Sequence, residues 1–111
     1  MPDTAELNIE QMRAAAERAT ALLRVLAHED RLLLLCQLSQ RELCVGELEE
    51  QLDIHQPMLS QQLGVLRRQE LVTTRRDGKR IYYRIADPRA LTLLQTLYSL
   101  YCDERDTRND D

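Results

Sequence analysis

Residues 54–84 join two segments of different periodicity, and any fold proposed for this chain has to accommodate both side by side. The first, Ile54-His-Gln-Pro-Met-Leu-Ser-Gln-Gln-Leu-Gly-Val-Leu-Arg-Arg68, is spaced as an amphipathic helix. Leu59, Leu63 and Leu66 share an inward face, while Gln56, Ser60, Gly64 and Arg67 fall at i, i+4, i+8 and i+11 on another, bordered by Gln61. The spacing predicts a helix from Gln56 to Gln69, about 21 Å long at 1.5 Å per residue. Pro57 costs little near its start, because first-turn amides lack helical partners. The second segment, Val72-Thr-Thr-Arg-Arg-Asp-Gly-Lys-Arg-Ile-Tyr-Tyr-Arg84, has strand-forming Val and Thr on one side of Asp77-Gly78 and alternates back on the other. It reads as a two-stranded wing closed by a tight reversing turn.

Charge gives this region a direction. The chain as a whole is acidic, at net −4, yet residues 55–84 hold seven cations (Arg67, Arg68, Arg75, Arg76, Lys79, Arg80, Arg84) against Glu70 and Asp77, a local balance of +5. Phosphate affinity follows the local cation cluster that displaces counterions, so an acidic total is compatible with DNA binding.

The remainder supplies a helical frame. Met12, Ala15, Ala16, Ala19, Leu22, Leu23 and Leu26 mark a first helix with one apolar stripe, whose small alanines suit close approach by another helix. Asp30–Leu38 is apolar nearly all round and therefore central. A short third helix begins near Val45, with Val45, Leu48 and Leu52 facing inward. Asp87-Pro88 supplies an N-cap and a first-turn proline for a fifth helix. That helix carries Leu91, Leu94, Tyr98, Tyr101 and Cys102 on one stripe, and Ala90, Leu93, Leu97 and Leu100 as a second flank, more apolar surface than a lone edge helix should expose. Domain organisation is then a flexible N-terminus over residues 1–8, one domain over 9–103 and a flexible acidic tail over 104–111. With 111 residues a single core is within reach, and burial by dimerisation adds to it. No apolar run spans a membrane, and the N-terminal Ala/Glu/Arg segment does not read as a signal peptide, so the expected location is the cytoplasm.

The expected fold class is mainly α with a small β-hairpin: five helices and a two-stranded wing. Helix, short helix, helix and hairpin is winged helix-turn-helix order, in which the second helix of the turn enters the major groove and the wing lies along the backbone. Gln56, Gln61 and Gln62 have the groups to pair with base edges, and Ser60 serves a base or a phosphate. Arg67, Arg68, Lys79 and Arg80 hold phosphates and fix register without reading sequence. A solvated polar face beside an ordinary charged hairpin is the plain alternative for the helix alone. Joined to the +5 patch and the wing, the same residues point to operator DNA. His28 and His55 read as helix-start or packing residues, not ligands, and no metal or other cofactor is expected.

Four motifs in order, Leu26-Ala-His-Glu-Asp-Arg-Leu-Leu-Leu-Leu-Cys36, Glu42-Leu-Cys-Val-Gly-Glu-Leu48, Gln56-Pro-Met-Leu-Ser-Gln-Gln-Leu-Gly-Val-Leu-Arg67, and Leu71-Val72 with Asp77-Gly-Lys-Arg-Ile-Tyr-Tyr83, resemble the ArsR/SmtB family of bacterial transcriptional repressors. The resemblance covers roughly residues 20–102. It implies a homodimer formed through the first and last helices, with two recognition helices about 34 Å apart on a palindromic operator. Gly46 stands where the metalloid sensors carry the second cysteine of a Cys-x-Cys pair, and residues 88–103 lack the histidines of the zinc sensors. A thiophilic ion usually needs three or four soft ligands.

What remains is similar to the sulfide-responsive BigR/SqrR group and the HlyU regulators, which carry one cysteine at the entry to helix three and one at the end of helix five. On that resemblance Cys44 and Cys102 are the redox-sensing pair, crosslinked by persulfides or polysulfides into a di-, tri- or tetrasulfide that weakens DNA binding. Cys44, near a helix start, is the expected attacking thiolate and Cys102 the resolving thiol. Cys36, on the face of Leu32 and Leu35, reads as buried filler. Three other readings stand beside this one. A metal or metalloid inducer keeps the DNA module; a DNA-free interaction protein wastes its polar face; a thiol oxidoreductase lacks Cys-x-x-Cys and any acid/base constellation, so an enzyme is not expected.

Overall fold

The computed structural model describes residues 8–102. Five helices, α1 (Ile9–Leu26), α2 (Glu29–Leu38), α3 (Val45–Leu52), α4 (Met58–Arg68) and α5 (Pro88–Tyr101), surround a three-stranded antiparallel sheet of β1 (Leu43–Cys44), β2 (Val72–Asp77) and β3 (Arg80–Ile85) in the order β1-β3-β2. This is the expected winged helix-turn-helix, enlarged by one short strand. Leu43 and Cys44 pair with Tyr83 and Tyr82, tying the start of α3 to the wing. The terminal segments expected to be flexible lie outside the described residues, except for Asn8, whose side chain accepts the Gln11 amide at 2.7 Å and caps α1.

Local chemistry sets the boundaries. His28 caps α2, its Nδ1 accepting from the Arg31 amide at 3.4 Å, and Asp87 caps α5 ahead of Pro88, accepting from the Arg89 amide at 2.8 Å. Recognition helix α4 begins two residues later than the spacing predicts. Pro57 occupies its cap position and offers no side-chain acceptor, so the Gln56 amide oxygen takes the orphan Ser60 N–H instead, at 3.0 Å. In the wing, Asp77 pairs with Arg80, leaving Gly78-Lys79 as the two-residue loop. Gly78 sits at φ +66, the left-handed region in which a side chain is disfavoured.

The core is almost entirely leucine. Leu34, Leu35 and Leu38 of α2, Leu48 of α3, Leu59, Leu63 and Leu66 of α4, and Leu94 of α5 are all buried, with Leu43 and Val72 closing the sheet side. Helix α2 packs against α1, α3, α4, α5 and β3, which makes it the hub of the domain. Helix α1 behaves differently. It is about 27 Å long, yet Leu26 is its one fully buried residue. Ile9 (65% exposed), Met12, Leu23, Tyr98, Leu100 and Tyr101 (67%) leave apolar surface of α1 and α5 open to solvent. Among the described residues no helix is long and apolar enough to cross a membrane.

Leu34, with no exposed surface in the hub helix, gives the packing a direct test. Leu34→Ala is expected to lower unfolding free energy by roughly 2–5 kcal/mol, the transfer and cavity cost of a buried leucine, read from urea denaturation monitored by circular dichroism.

Candidate nucleic-acid interface

Helix α4 presents two faces of opposite character because its leucines have nowhere else to go. With Leu59, Leu63 and Leu66 buried against the core, Gln56, Ser60, Gln61, Arg67 and Arg68 are left exposed. Lys79 and Arg80 are exposed on the wing. Seven of the eight residues expected to meet DNA therefore lie on the surface. Gln62 does not. It is only 7% exposed, its Oε1 accepts from Arg31 Nη1 at 3.0 Å, and its Nε2 donates to Met58 Sδ at 3.1 Å. Both ends of its amide are engaged inside the domain, so Gln62 leaves the set of groove-reading candidates. Gln56 also has less freedom than its type suggests, since its carbonyl end already caps α4 and its amide nitrogen is the end left to donate.

The wing is braced from behind. Arg75 donates to Glu42 at 2.8 Å and its guanidinium lies 4.8 Å from the centre of the Tyr82 ring. That hydrogen bond holds Glu42 below the usual carboxylate range. Arg75, counted among the seven regional cations, is thus engaged largely within the sheet. Arg80 lies against the Tyr82 hydroxyl, which strengthens its preference for the charged form. The opposite end of the turn has its own brace. His55, whose carbonyl accepts the Leu59 amide at 3.1 Å at the start of α4, sets Nε2 2.7 Å from Asp53 Oδ1 and Nδ1 3.5 Å from Glu49 Oε2. Only the imidazolium offers two donors to two carboxylates.

Cys44 and Cys102 lie at the two expected places, the entry to α3 and the end of α5. Cys44 is buried in β1 and at the cap of α3, facing Glu47 and the wing. Its amide donates to Glu47 Oε1 at 2.9 Å, and the Cys44 amide and thiol together hold Glu47 below the usual carboxylate range. Cys102 is exposed at the end of α5, which packs on α2, and the thiol it influences is Cys36. Burial pushes the half-buried Cys36 thiol up, and the charge of a nearby Cys102 thiolate adds to the rise. Of the three thiols, Cys102 is near enough to Cys36 for its charge to raise the Cys36 pKa, while Cys44 lies in β1, paired with Tyr82 of the wing. Among the described residues no three His, Cys, Asp or Glu side chains gather closely enough to hold a metal ion.

A helix-turn-helix with a braced wing, an outward polar recognition helix and cations at both edges defines a DNA-binding transcriptional regulator rather than an enzyme. The sequence profile described as bacterial regulatory protein, arsR family, matches residues 28–74. The biofilm growth-associated repressor of Agrobacterium fabrum (strain C58) is 49% identical over 100 residues, spanning 90% of this chain and 86% of that protein. The crystal structure of the transcriptional repressor BigR from Xylella fastidiosa superposes with a TM-score of 0.81 at 45% identity, covering 88% of this chain and 97% of that one. Reduced HlyU from Vibrio cholerae N16961 gives a TM-score of 0.81 at 37% identity, over 85% of this chain and 99% of that one. The chain belongs to the arsR family.

The His55 brace is a titratable feature of the turn. Hydrogen bonds to Glu49 and then Asp53 raise its pKa above the ordinary imidazole value of 6.5. Its contribution is complete below the unfolded value and is lost as pH rises through the higher folded one. The ring is exposed, so the effect on stability is small. A proton NMR titration of the His55 ring is expected to give a midpoint above 6.5, which Glu49→Gln moves downward; a midpoint at or below 6.5 contradicts the brace.

Proposed function

We propose that this protein is a homodimeric, thiol-responsive transcriptional repressor. In the reduced state two copies hold a palindromic operator; joining Cys36 to Cys102 through sulfur releases it. The observation that carries the reading is that α5, which ends at the exposed Cys102, packs on α2, which carries Cys36 and against which recognition helix α4 packs; the Cys102 charge raises the Cys36 pKa. A bond drawn across α2 and α5 acts on the support of the DNA reader. Two of the relatives are named as repressors, and HlyU, a transcriptional activator in Vibrio cholerae, is solved in a reduced form. Dimerisation through α1 and α5 accounts for the apolar side chains those helices leave uncovered, Met12 and Tyr101 among them.

The chemistry follows from exposure. Cys102 meets the reagent first. Its thiolate attacks the sulfane sulfur of a persulfide R–S–SH, displacing the thiol RSH and leaving Cys102–S–SH. The Cys36 thiolate then attacks the Cys102 sulfur, expelling hydrosulfide and closing the disulfide. The persulfide is the oxidant, and two thiols plus one R–S–SH yield one disulfide, RSH and hydrogen sulfide. Each further sulfane sulfur taken up before closure lengthens the bridge by one atom, which lets thiols too far apart for a simple disulfide join without moving the backbone. Because burial raises the Cys36 pKa, closure quickens toward alkaline pH.

Glutathione persulfide treatment, intact-mass analysis, peptide mapping and an electrophoretic shift assay test this together. The wild type is expected to gain a Cys36–Cys102 bridge and lose operator affinity. Cys44→Ser should behave as the wild type, Cys36→Ser should stop at a persulfide on Cys102, and Cys102→Ser should form no bridge. A bridge that requires Cys44, or unchanged DNA affinity beside tight binding of arsenite or zinc, overturns the thiol reading in favour of a metal-responsive one.

The division of labour on the DNA side has its own test. Gln61→Ala is expected to lower discrimination at one base position by about 1–3 kcal/mol. Arg80→Ala should weaken all sequences alike and reduce the slope of log affinity against log salt by about 1. Binding titrations on matched and single-mismatch duplexes separate the two.

A further inference from the structure

We propose that Arg31 is a positioning residue for DNA reading, tying the C-terminal end of α1 to the inward face of α4 and so fixing the recognition helix relative to the dimer helix. The inference rests on the dimeric, operator-binding reading above and adds to it a residue whose three side-chain hydrogen bonds all lie within the domain.

The placement is unusual for a cation. Arg31 lies in the first turn of α2, where the helix dipole disfavours positive charge. Glu29 and Asp30 beside it offset part of that cost. What the position provides is the end of α1. A helix leaves its last four carbonyls without intrahelical donors, and in α1 each of the four finds a donor elsewhere. The Leu23 carbonyl takes the Ala27 amide at 2.9 Å and the Leu26 carbonyl takes the His28 amide at 2.8 Å. The two between them are met by Arg31, with Nε donating to the Val25 carbonyl at 2.7 Å and Nη2 to the Arg24 carbonyl at 3.4 Å. The remaining arm crosses to α4, where Nη1 donates to Gln62 Oε1 at 3.0 Å.

Only a planar guanidinium, with donors fixed in a fork, reaches three acceptors on two helices at once; a lysine ammonium reaches from a single point. Gln62 gives the strap its grip on α4. It sits between Leu59, Leu63 and Leu66 on the buried face, and its amide nitrogen is held by Met58 Sδ, so its orientation is fixed from both sides. Ordinary leucine packing permits a helix to roll by small angles about its axis. A directional hydrogen bond from a residue that is itself pinned to α1 restricts that roll. In a dimer joined through α1 and α5, the roll of each α4 about its axis decides how two half-sites are met together.

The experiment uses duplexes selected by the full-length wild type from a random-sequence library, then remade with the spacer between half-sites lengthened or shortened by one base pair. The wild type is expected to bind each altered spacer roughly tenfold more weakly. Gln62→Leu, which keeps volume and burial, and Arg31→Lys, which keeps charge, should each compress that discrimination to about threefold or less while leaving the salt slope unchanged, because no phosphate contact is removed. Thermal melts establish that the variants are folded at the assay temperature. A merely structural role would weaken parent and altered duplexes by the same factor, so variants that retain the wild-type spacer ratio overturn the proposal. A wild type that selects no duplex overturns the operator-binding reading itself, and this coupling with it.

Discussion

The contact between α2 and α4 governs everything else in this domain. Leu34, Leu35 and Leu38 on one helix and Leu59, Leu63 and Leu66 on the other are all buried, and each contributes about 1.5–3 kcal/mol when removed from water. With no phenylalanine or tryptophan in the chain, the apolar volume of the core comes mainly from leucine. Once the leucine face of α4 is committed inward, the rotation of the helix is decided, and Ser60, Gln61 and Arg67 have no alternative but solvent or a ligand. The polar reading face is a consequence of core packing rather than a separate design. The same contact places α4 directly on the helix that carries Arg31 and Cys36.

Much of this is legible from periodicity. The five helices, the Asp87-Pro88 start of α5, the helix-start role of His28 and the hairpin each rest on a local signal: a cap residue, a first-turn proline, or alternation on either side of a glycine. Strand β1 escapes because two residues cannot show alternation, and its pairing with Tyr82 and Tyr83 is a long-range event. Gln62 is recoverable. Residues 59, 62, 63 and 66 form one helical stripe, and three of them are leucine, so spacing alone places the fourth inside. Residue type, with glutamine as a reader of adenine, points the other way, and in the folded chain position prevails. The surroundings of the thiols are not recoverable, because nothing in the spacing of Cys36, Cys44 and Cys102 reveals that α5 docks on α2 while β1 pairs with the wing.

Electrostatics is layered in the same way. The regional excess of positive charge is real in sequence, yet Glu42 satisfies Arg75 and the Tyr82 ring shares it, leaving the cations at the helix end and wing loop to face outward. Counting charges locates the face, and geometry sorts its members into braces and contacts. Acidic residues outside the region are likewise not all passive surface. Glu47 fixes the Cys44 amide at the start of α3, and Glu49 and Asp53 hold the His55 ring at the turn. An acidic chain carrying a basic reader thus uses some of its anions to build the reader's frame.

For a covalent event at Cys36 and Cys102 to alter DNA binding, the helix between them and the groove must have more than one arrangement, and the ends of that helix must differ in how firmly they are held. Helix α2 meets the second of these conditions by its asymmetry. Its N-terminal end is anchored through Arg31 to α1 and α4 by directional hydrogen bonds, whereas Cys36 sits near its C-terminal end, half-buried and facing α5. On the thiol reading proposed above, a pull applied at Cys36 would act about the Arg31 anchor and reach α4 through the leucines that set its orientation. Closing the same bond at Cys44 would load β1 and the wing instead, leaving the α2–α4 contact under no direct strain. On the proposed reading, the position of the thiols, more than their reactivity, determines which part of the DNA reader a sulfur bridge would move.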